Sequence, residues 1–588
     1  MSNHLPLAIL TLTLCAAWII PMEAQAGTQP DTWVGVDALG RTLPTSKEVG
    51  TPRKDKFVGM FYCLWLGAHE NGGPYDISKI LAANPNAMNE PENPAWGPHN
   101  AFHHWGESIF GYYRSEDPWV LRKHAHLLAD AGIDTVVFDA SNGFTYKDAY
   151  LTLCSEWEKI RKEGGRTPCI AFLCPFGNPN GLANGVVRQL WKDLYSQGLY
   201  KDLWFKWKGK PLILVDPNSV DADLKRFFTF RMPIPDYYSG PFAADQWGWL
   251  EVSPQHVFRN SNGEAEEVTV GVGQNGTNKQ LSAFSEDDTH GRSWHDGKRD
   301  TRKNAVAYGF NFQEQWDRAL KIDPEFVFVT EWNEWTAMRL DSFNGVDKPV
   351  MFADLFTEES SRDIEPMKGG HGDDYYMQLV ANVRKFKGAA PVPIASAPKT
   401  IRIGGDFSEW NDVHPEFRSD VNDMTQRDHR GYGSAGPYID KTGRNNIVAC
   451  KVARDRKNIY FYVRTSKPIT PHTDHNWMTL FIDIDRNHKT GWEGYDFLVN
   501  ERVIDRQTTV LQKNAGGWNW KDAAKIRYHV SGNELELAIP KSALGIKADD
   551  SFDFKWVDNV QKPGDIIDFY VSGDAAPIGR FNFRYQTK

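Results

Sequence analysis

The residues best suited to chemistry are two carboxylates three apart in the segment Phe326-Val-Phe-Val-Thr-Glu-Trp-Asn-Glu-Trp335. Glu331 and Glu334 close a short apolar run and stand among Trp332, Asn333 and Trp335. Cleaving a glycosidic bond needs such a pair, one acid to protonate the leaving oxygen and one to support the electron-poor sugar carbon. Residues three apart on a regular strand face opposite ways. The two can converge if the strand stops near Glu331 and the chain turns in a helical sense. The competing account of either residue is a strand-end acid bound to backbone or to an arginine.

The elements that must position this pair follow from the apolar pattern. Residues 326–329 are β-branched and aromatic, as in a strand buried on both faces. Similar runs at 58–65, 135–139, 169–174, 211–217 and 267–273 predict further strands. Asp117 and Pro118 read as N-cap and first residue of a helix that Gly132 closes, and helices are expected over 147–163, 186–197 and 375–387. Apolar strands alternating with helices predict a parallel sheet covered on both faces. Over residues 27–390 that means an α/β fold, a (β/α)8 TIM-like barrel with loop insertions, whose chemistry gathers at the C-terminal strand ends. No G-x-G-x-x-G follows the first strand, which counts against dinucleotide binding.

Other polar residues fall at strand ends in the same sense: Asp139 with Asn142, Asp216, and Trp249 with Glu251. Asp139 and Asp216 could equally cap the helices that follow. Loop residues His104, Trp105, Tyr112, Tyr113 and Trp294 are candidate sugar contacts, as are Asn333 and Trp335. The His-rich stretch around Trp294 has no zinc-ligand spacing and reads as a sugar-contacting loop.

The chain has 588 residues, 41% hydrophobic and 24% charged, which is globular and long enough for two or more domains. A formal net charge of −9 gives no footprint for nucleic acid. The 22 tryptophans offer apolar ring faces suited to sugars. Residues 1–26 read as a signal peptide, with an apolar run and a small-residue site at Ala24 and Ala26, so the protein is expected to be periplasmic or extracellular. No later run is long enough to span a membrane. The five remaining cysteines read as mostly buried thiols, with at most one disulfide.

Gly111-Tyr-Tyr-Arg-Ser-Glu-Asp-Pro118, the helix after it and Ala131-Gly-Ile-Asp134 resemble the opening of the endo-α-mannosidase-like barrels of glycoside hydrolase family 99 and its looser relatives, including family 71. Trp332-Asn-Glu-Trp335 resembles the family's Phe-Asn-Glu-Trp-x-Glu-Gly segment, and Ile364-Glu-Pro366 a later element. The resemblance implies a glycosidase barrel with Glu334 as the first carboxylate. The second falls on Ala337, so its role passes to Glu331, Glu365 or a loop residue.

Residues 391–400 read as a Pro/Ala linker, and short alternating runs over 401–588 predict an all-β sandwich that folds separately. Ile403-Gly-Gly-Asp-Phe-Ser-Glu-Trp410 and residues 477–497 resemble carbohydrate-binding module family 9 and the DOMON-like sandwiches. That resemblance implies sugar binding, with Trp492 and Trp518 as candidate platforms. Asp483, Asp485 and Asn487 have the alternating oxygen ligands of a calcium loop, against which stands an ordinary turn bonded to its own backbone. No catalytic cofactor is expected. The reading is an exported glycoside hydrolase acting on a poly- or oligosaccharide. Its alternatives are a non-catalytic glycan-binding protein with a degenerate barrel, for which Ala337 speaks, and a polysaccharide lyase.

Overall fold

The computed structural model describes residues 29–547 and 550–587, so the signal-peptide reading lies outside the described residues. The first half is built on eight parallel strands that neighbour one another in chain order: β1 (Phe57–Tyr62), β2 (Thr135–Asp139), β3 (Cys169–Leu173), β4 (Lys210–Leu214), β5 (Thr229–Pro233), β6 (Gln246–Trp247), β7 (Ala265–Gly271) and β8 (Phe326–Thr330). β8 returns to pair with β1, Phe326 opposite Phe57 and Val329 opposite Met60. Between β6 and β7 a two-residue antiparallel strand, Phe258–Arg259, pairs with β7, leaving the barrel-like sheet nearly closed.

The side-chain period of two explains the apolar runs. On one face of the sheet Phe61, Val137, Leu173, Leu214, Phe326 and Phe328 pack together. On the other, Met60, Val136, Val327 and Val329 pack beneath helices. Gly59 is required on β1, because a Cβ there would lie 2.5 Å from the Phe326 ring.

Helices cover the sheet after five strands only: α1 (Pro118–Asp130), α2 (Lys147–Lys162), α3 (Leu182–Leu190), α4 (Phe310–Ile322) and α5 (Asp374–Lys387). Asp117 caps α1 as expected, accepting from Trp119 N at 3.1 Å. After β4, β5 and β6 the connections are loops and single 3-10 turns. The regular (β/α)8 alternation is therefore corrected to a partly helix-covered, barrel-like sheet. β6 has only two residues, and the two strands carry Arg, Gln and Pro among their apolar residues, so the apolar pattern did not reveal them.

The second half is built on an antiparallel sheet of eleven strands, from Phe417–Arg418 through Ile447–Arg454 to Asp574–Ala576 and Phe583–Tyr585, beside a separate hairpin of Arg427–His429 and Tyr438–Asp440. The sheet curls until its far edge meets its start, where Asp574 accepts from Ile447 N at 2.5 Å. The expected two-layer sandwich is corrected to this barrel-like sheet. Within this region Asp568–Val571 forms a short helix rather than a strand. All five described cysteines are free thiols.

The two halves are welded rather than tethered. Arg427 donates to Asp117 and to Phe110 O at 2.8 and 2.9 Å, and Arg580 and Tyr570 both bond Asp373 at 3.0 and 2.8 Å. The N-terminal segment bridges Val34 to Asn582. Residues of the Pro/Ala stretch are tied down too, Ala395 N to Gln586 O at 2.8 Å and Ser396 N to His414 O at 2.9 Å. One continuous apolar core runs from Trp33 and Tyr376 to Phe581 and Phe583.

Candidate active site

The chain leaves β8 at Thr330, through a cis Thr330–Glu331 peptide. Trp332 N donates to Phe61 O at 3.0 Å, and Trp332 O accepts from Ile364 N and Glu365 N at 3.1 and 3.0 Å. The turn is therefore clamped between the end of β1 and the segment 360–366, and it leads into the strand Thr336–Phe343 rather than a helix. The two carboxylates nevertheless converge. An oxygen of Glu331, an oxygen of Glu334 and the Cys63 thiol lie within 4.8 Å of one another. Ala337 lies on that strand opposite His103, apart from the carboxylate pair.

A buried guanidinium organises the pair. Arg362 Nη2 donates to Glu334 Oε2 at 2.8 Å, while its Nε is 3.6 Å from Glu331 Oε2. The same Nη2 lies 3.9 Å from Asp354, whose side chain is 50% exposed. Arg362 Nη1 bonds Asn275 Oδ1 at 3.1 Å, and Tyr237 donates to that oxygen at 2.8 Å.

One cation cannot neutralise two carboxylates this close, and like charges in a dry site do not both ionise. Burial and the Glu331 charge push Glu334 well above the ordinary carboxylate range. Burial also raises Glu331, with Arg362 opposing. Neither oxygen of Glu331 has another hydrogen-bond donor. A proton on Glu334 supplies one, so the two titrate as a pair that holds its last proton on Glu334. Burial, with both glutamates facing it, drives the Cys63 thiol well up, so it stays neutral.

Beneath the pair lies a satisfied polar network. Glu365 is fully buried and accepts from Ser108 Oγ, Tyr113 OH and Trp335 Nε1 at 2.6, 2.7 and 2.6 Å, with His124 Nε2 at 3.0 Å. Asn333 pins the end of β1, accepting from Cys63 N at 2.9 Å. Trp105 stacks on Trp335 at 5.2 Å and donates to Asp363 at 2.6 Å. Trp105, Tyr113, Asn333 and Trp335, expected to contact sugar, are all buried, and their polar atoms bond within the site. Glu365, with every lone pair engaged, is no substitute for the missing acid.

The remaining candidates divide. Asp139, at the end of β2, accepts from Ser141 N at 2.8 Å, and burial pushes it up to about 6, with the Glu331 charge adding. Trp249 is half-buried among Phe61, Phe176 and Tyr237, at 5.5, 5.8 and 6.0 Å, and borders it. Asn142 is exposed on the loop after β2. His104, wedged edge-on between Tyr112 and Tyr432, is pushed by burial down to about 3 and stays neutral. Tyr112 donates to Asp76 at 2.6 Å. Glu251, pushed up to about 8 by burial, accepts from His256 N at 2.5 Å. Trp294 stacks on His290 at 4.1 Å in a short hairpin. These last four are placed by packing and local bonds rather than by the carboxylate pair.

In the second half, Trp492 is buried edge-on against half-buried Trp518 at 4.5 Å, both packed on Phe481. Trp492 is only 7% exposed, whereas Trp518 stays partly open. Asp483 and Asp485 come together with Asp496, and the Asn487 side chain accepts from Lys489 N at 3.2 Å. Arg362, Asp354, Tyr237, Asn275 and Cys63 went unread in the sequence. The one available signal was the position of Arg362, two residues before the Ile364-Glu-Pro366 element.

No protein family matches the chain, and no curated protein does. Among solved structures it is similar to the GH99 endo-alpha-mannosidase from Bacteroides thetaiotaomicron in complex with Bis-Tris-propane, at 14% identity and a TM-score of 0.33, covering 57% of this chain and 97% of that one. A second structure of that endo-alpha-mannosidase aligns at 15% identity and a TM-score of 0.31, covering 49% of this chain and 85% of that one. A glycoside hydrolase-like protein aligns at 13% and 0.30, covering 62% of this chain and all of that one. At these TM-scores the superpositions are loose, and the functional reading rests on the site itself.

Proposed function

We propose that the protein is an exported glycoside hydrolase acting on a poly- or oligosaccharide, with Glu334 as the general acid. The observation that carries this reading is the convergence of two buried carboxyl groups, Glu331 and Glu334, on the Arg362 guanidinium at the C-terminal end of β8, with the half-exposed Asp354 on the same guanidinium. Negative charge on Glu331 favours the proton on Glu334 by like-charge repulsion, and Arg362 opposes the rise that burial imposes on Glu331. Glu334 then delivers that proton to the leaving glycosidic oxygen. Asp354 shares the Nη2 of Arg362 with Glu334 and is the carboxylate open to a substrate. It supports positive charge at the sugar carbon. The shared nitrogen keeps Glu334 and Asp354 close together, which fits the short carboxylate separation of about 5–5.5 Å in retaining enzymes better than the wider inverting one. Glu331, with both oxygens sealed from solvent, sets the acid's proton affinity without touching the sugar.

The full-length protein should release reducing ends from at least one member of a polysaccharide panel. Glu334→Gln should lower that rate roughly 10²–10⁴-fold with the fold intact; unchanged turnover in the folded variant sinks the assignment. One observation favours a non-catalytic glycan binder instead, namely that Glu334 is only 7% exposed. Saturable glycan binding without turnover on any substrate would establish that reading. Asp483, Asp485 and Asp496 are the residues we propose for a structural calcium ion, with no part in the chemistry.

A further inference from the structure

Where the two halves meet, a cleft of about 670 Å³ opens between residues 107–111 and 367–374 on one side and 438–442 and 561–572 on the other. Small-molecule sites typically enclose 300–1,000 Å³ and favour such junctions. Its walls are preformed. Arg427, bonded to Asp117, lies between the rings of Trp119 and Tyr438 at 4.9 and 4.5 Å, and Arg580 is locked on Asp373 at 3.0 Å. No loop has to order before a ligand enters.

The lining has two characters. Ile109, Met367, Ile439, Ile567 and Val571 supply apolar surface, and Ile439 is 58% exposed. Lys368, Gln561 and Lys562 supply donors; Glu107, Asp440 and Asp565 supply acceptors. Asp440 Oδ1 accepts from Thr442 N at 2.8 Å, and its Oδ2 is sealed from solvent. The carboxylates of Glu107, Asp373, Asp374, Asp440, Asp565 and Asp568 outnumber the cations Lys368, Arg427, Lys562 and Arg580, so no positive excess remains for an oxyanion. His371 adds none, because burial holds it neutral. A neutral ligand with an apolar face and many hydroxyls fits this lining, and a pyranose chain has both. The cleft floor also continues directly from the active-site segment: it begins just after Pro366, whose carbonyl accepts from Ile109 N at 3.0 Å.

We propose that this cleft is a second glycan-binding site, taking a short neutral oligosaccharide, and that it is where the C-terminal half meets the substrate. The inference rests on the glycosidase reading for its ligand class. It assigns to the cleft the role that the buried Trp492 does not fill.

Hydrogen exchange of full-length Glu334→Gln protein tests it, with mannohexaose, cellohexaose and maltohexaose as neutral probes and a chondroitin sulfate hexasaccharide as the anionic one. A neutral probe should protect 107–111, 367–374 and 438–442 as well as 331–334. Ile439→Asp, at an exposed position, should weaken protection of the cleft segments by about tenfold in apparent Kd while sparing 331–334. Protection confined to 331–334 would overturn the cleft proposal and leave the enzymatic reading standing. Protection nowhere by any probe would overturn both. Preferential protection of the cleft by the sulfated probe would overturn the neutral-ligand assignment.

Discussion

Replacing Glu331 by Gln separates its role from that of Glu334. The substitution keeps size and removes one buried charge whose nearest oxygen lies within 4.8 Å of Glu334. At that separation and an effective dielectric near 20, the like-charge interaction is about 3.5 kcal/mol, roughly 2.5 pH units. Arg362 screens both groups, so about 1–2 units should be observed. The sign is fixed by the chemistry. Glu334 works protonated, and its activity is lost as pH rises through its raised pKa. Removing the neighbouring charge, and freeing Arg362 to face Glu334 alone, both lower that pKa. The alkaline limb of the kcat/KM profile should therefore move to lower pH by about 1–2 units, with the plateau below the limb retained. Reducing-end release measured from pH 4 to 9 on the best substrate reads this directly. An unmoved limb, or a limb moved upward, would refute the paired titration. A plateau that collapses at every pH would show that Glu331 itself acts on the substrate.

Arg362→Met should leave the buried carboxylates uncompensated and cost about 3–5 kcal/mol of stability, read as a lower denaturation midpoint; a loss below about 1 kcal/mol would show that the guanidinium is not what balances them. Residues 400–588 expressed alone should be poorly soluble, because Tyr570, Phe581 and Phe583 lose the packing of Trp33 and Tyr376. A well-folded, monodisperse fragment would contradict the weld between the halves. Calcium should raise the thermal midpoint of the chelator-treated protein by a few degrees, and Asp496→Asn should abolish the rise while Asn487→Ala spares it; equal responses in both variants would count against the three-aspartate site.

The sequence by itself determined the elements whose cause is local. The runs at 135–139 and 326–330 form strands at those bounds, because uninterrupted β-branched and aromatic residues have only a doubly buried strand to occupy. Asp117 and Pro118 set the start of α1, since capping involves only the next few residues. The placement of Glu331 and Glu334 at a strand end was legible for the same reason. Tertiary structure alone decided what those residues face. Nothing local told that Trp105, Trp335 and Asn333 would be buried supports while Trp249 borders the site, because a tryptophan's pattern is the same in a core and in a cleft. Nor did spacing join Glu334 to Arg362, or Arg362 to Asp354. The seam was likewise invisible: an uncharged Pro/Ala stretch reads as a free linker until backbone hydrogen bonds to the second half engage it. Charge pairing and burial depend on which distant segments the chain brings together, and that is settled by the packing of the whole fold.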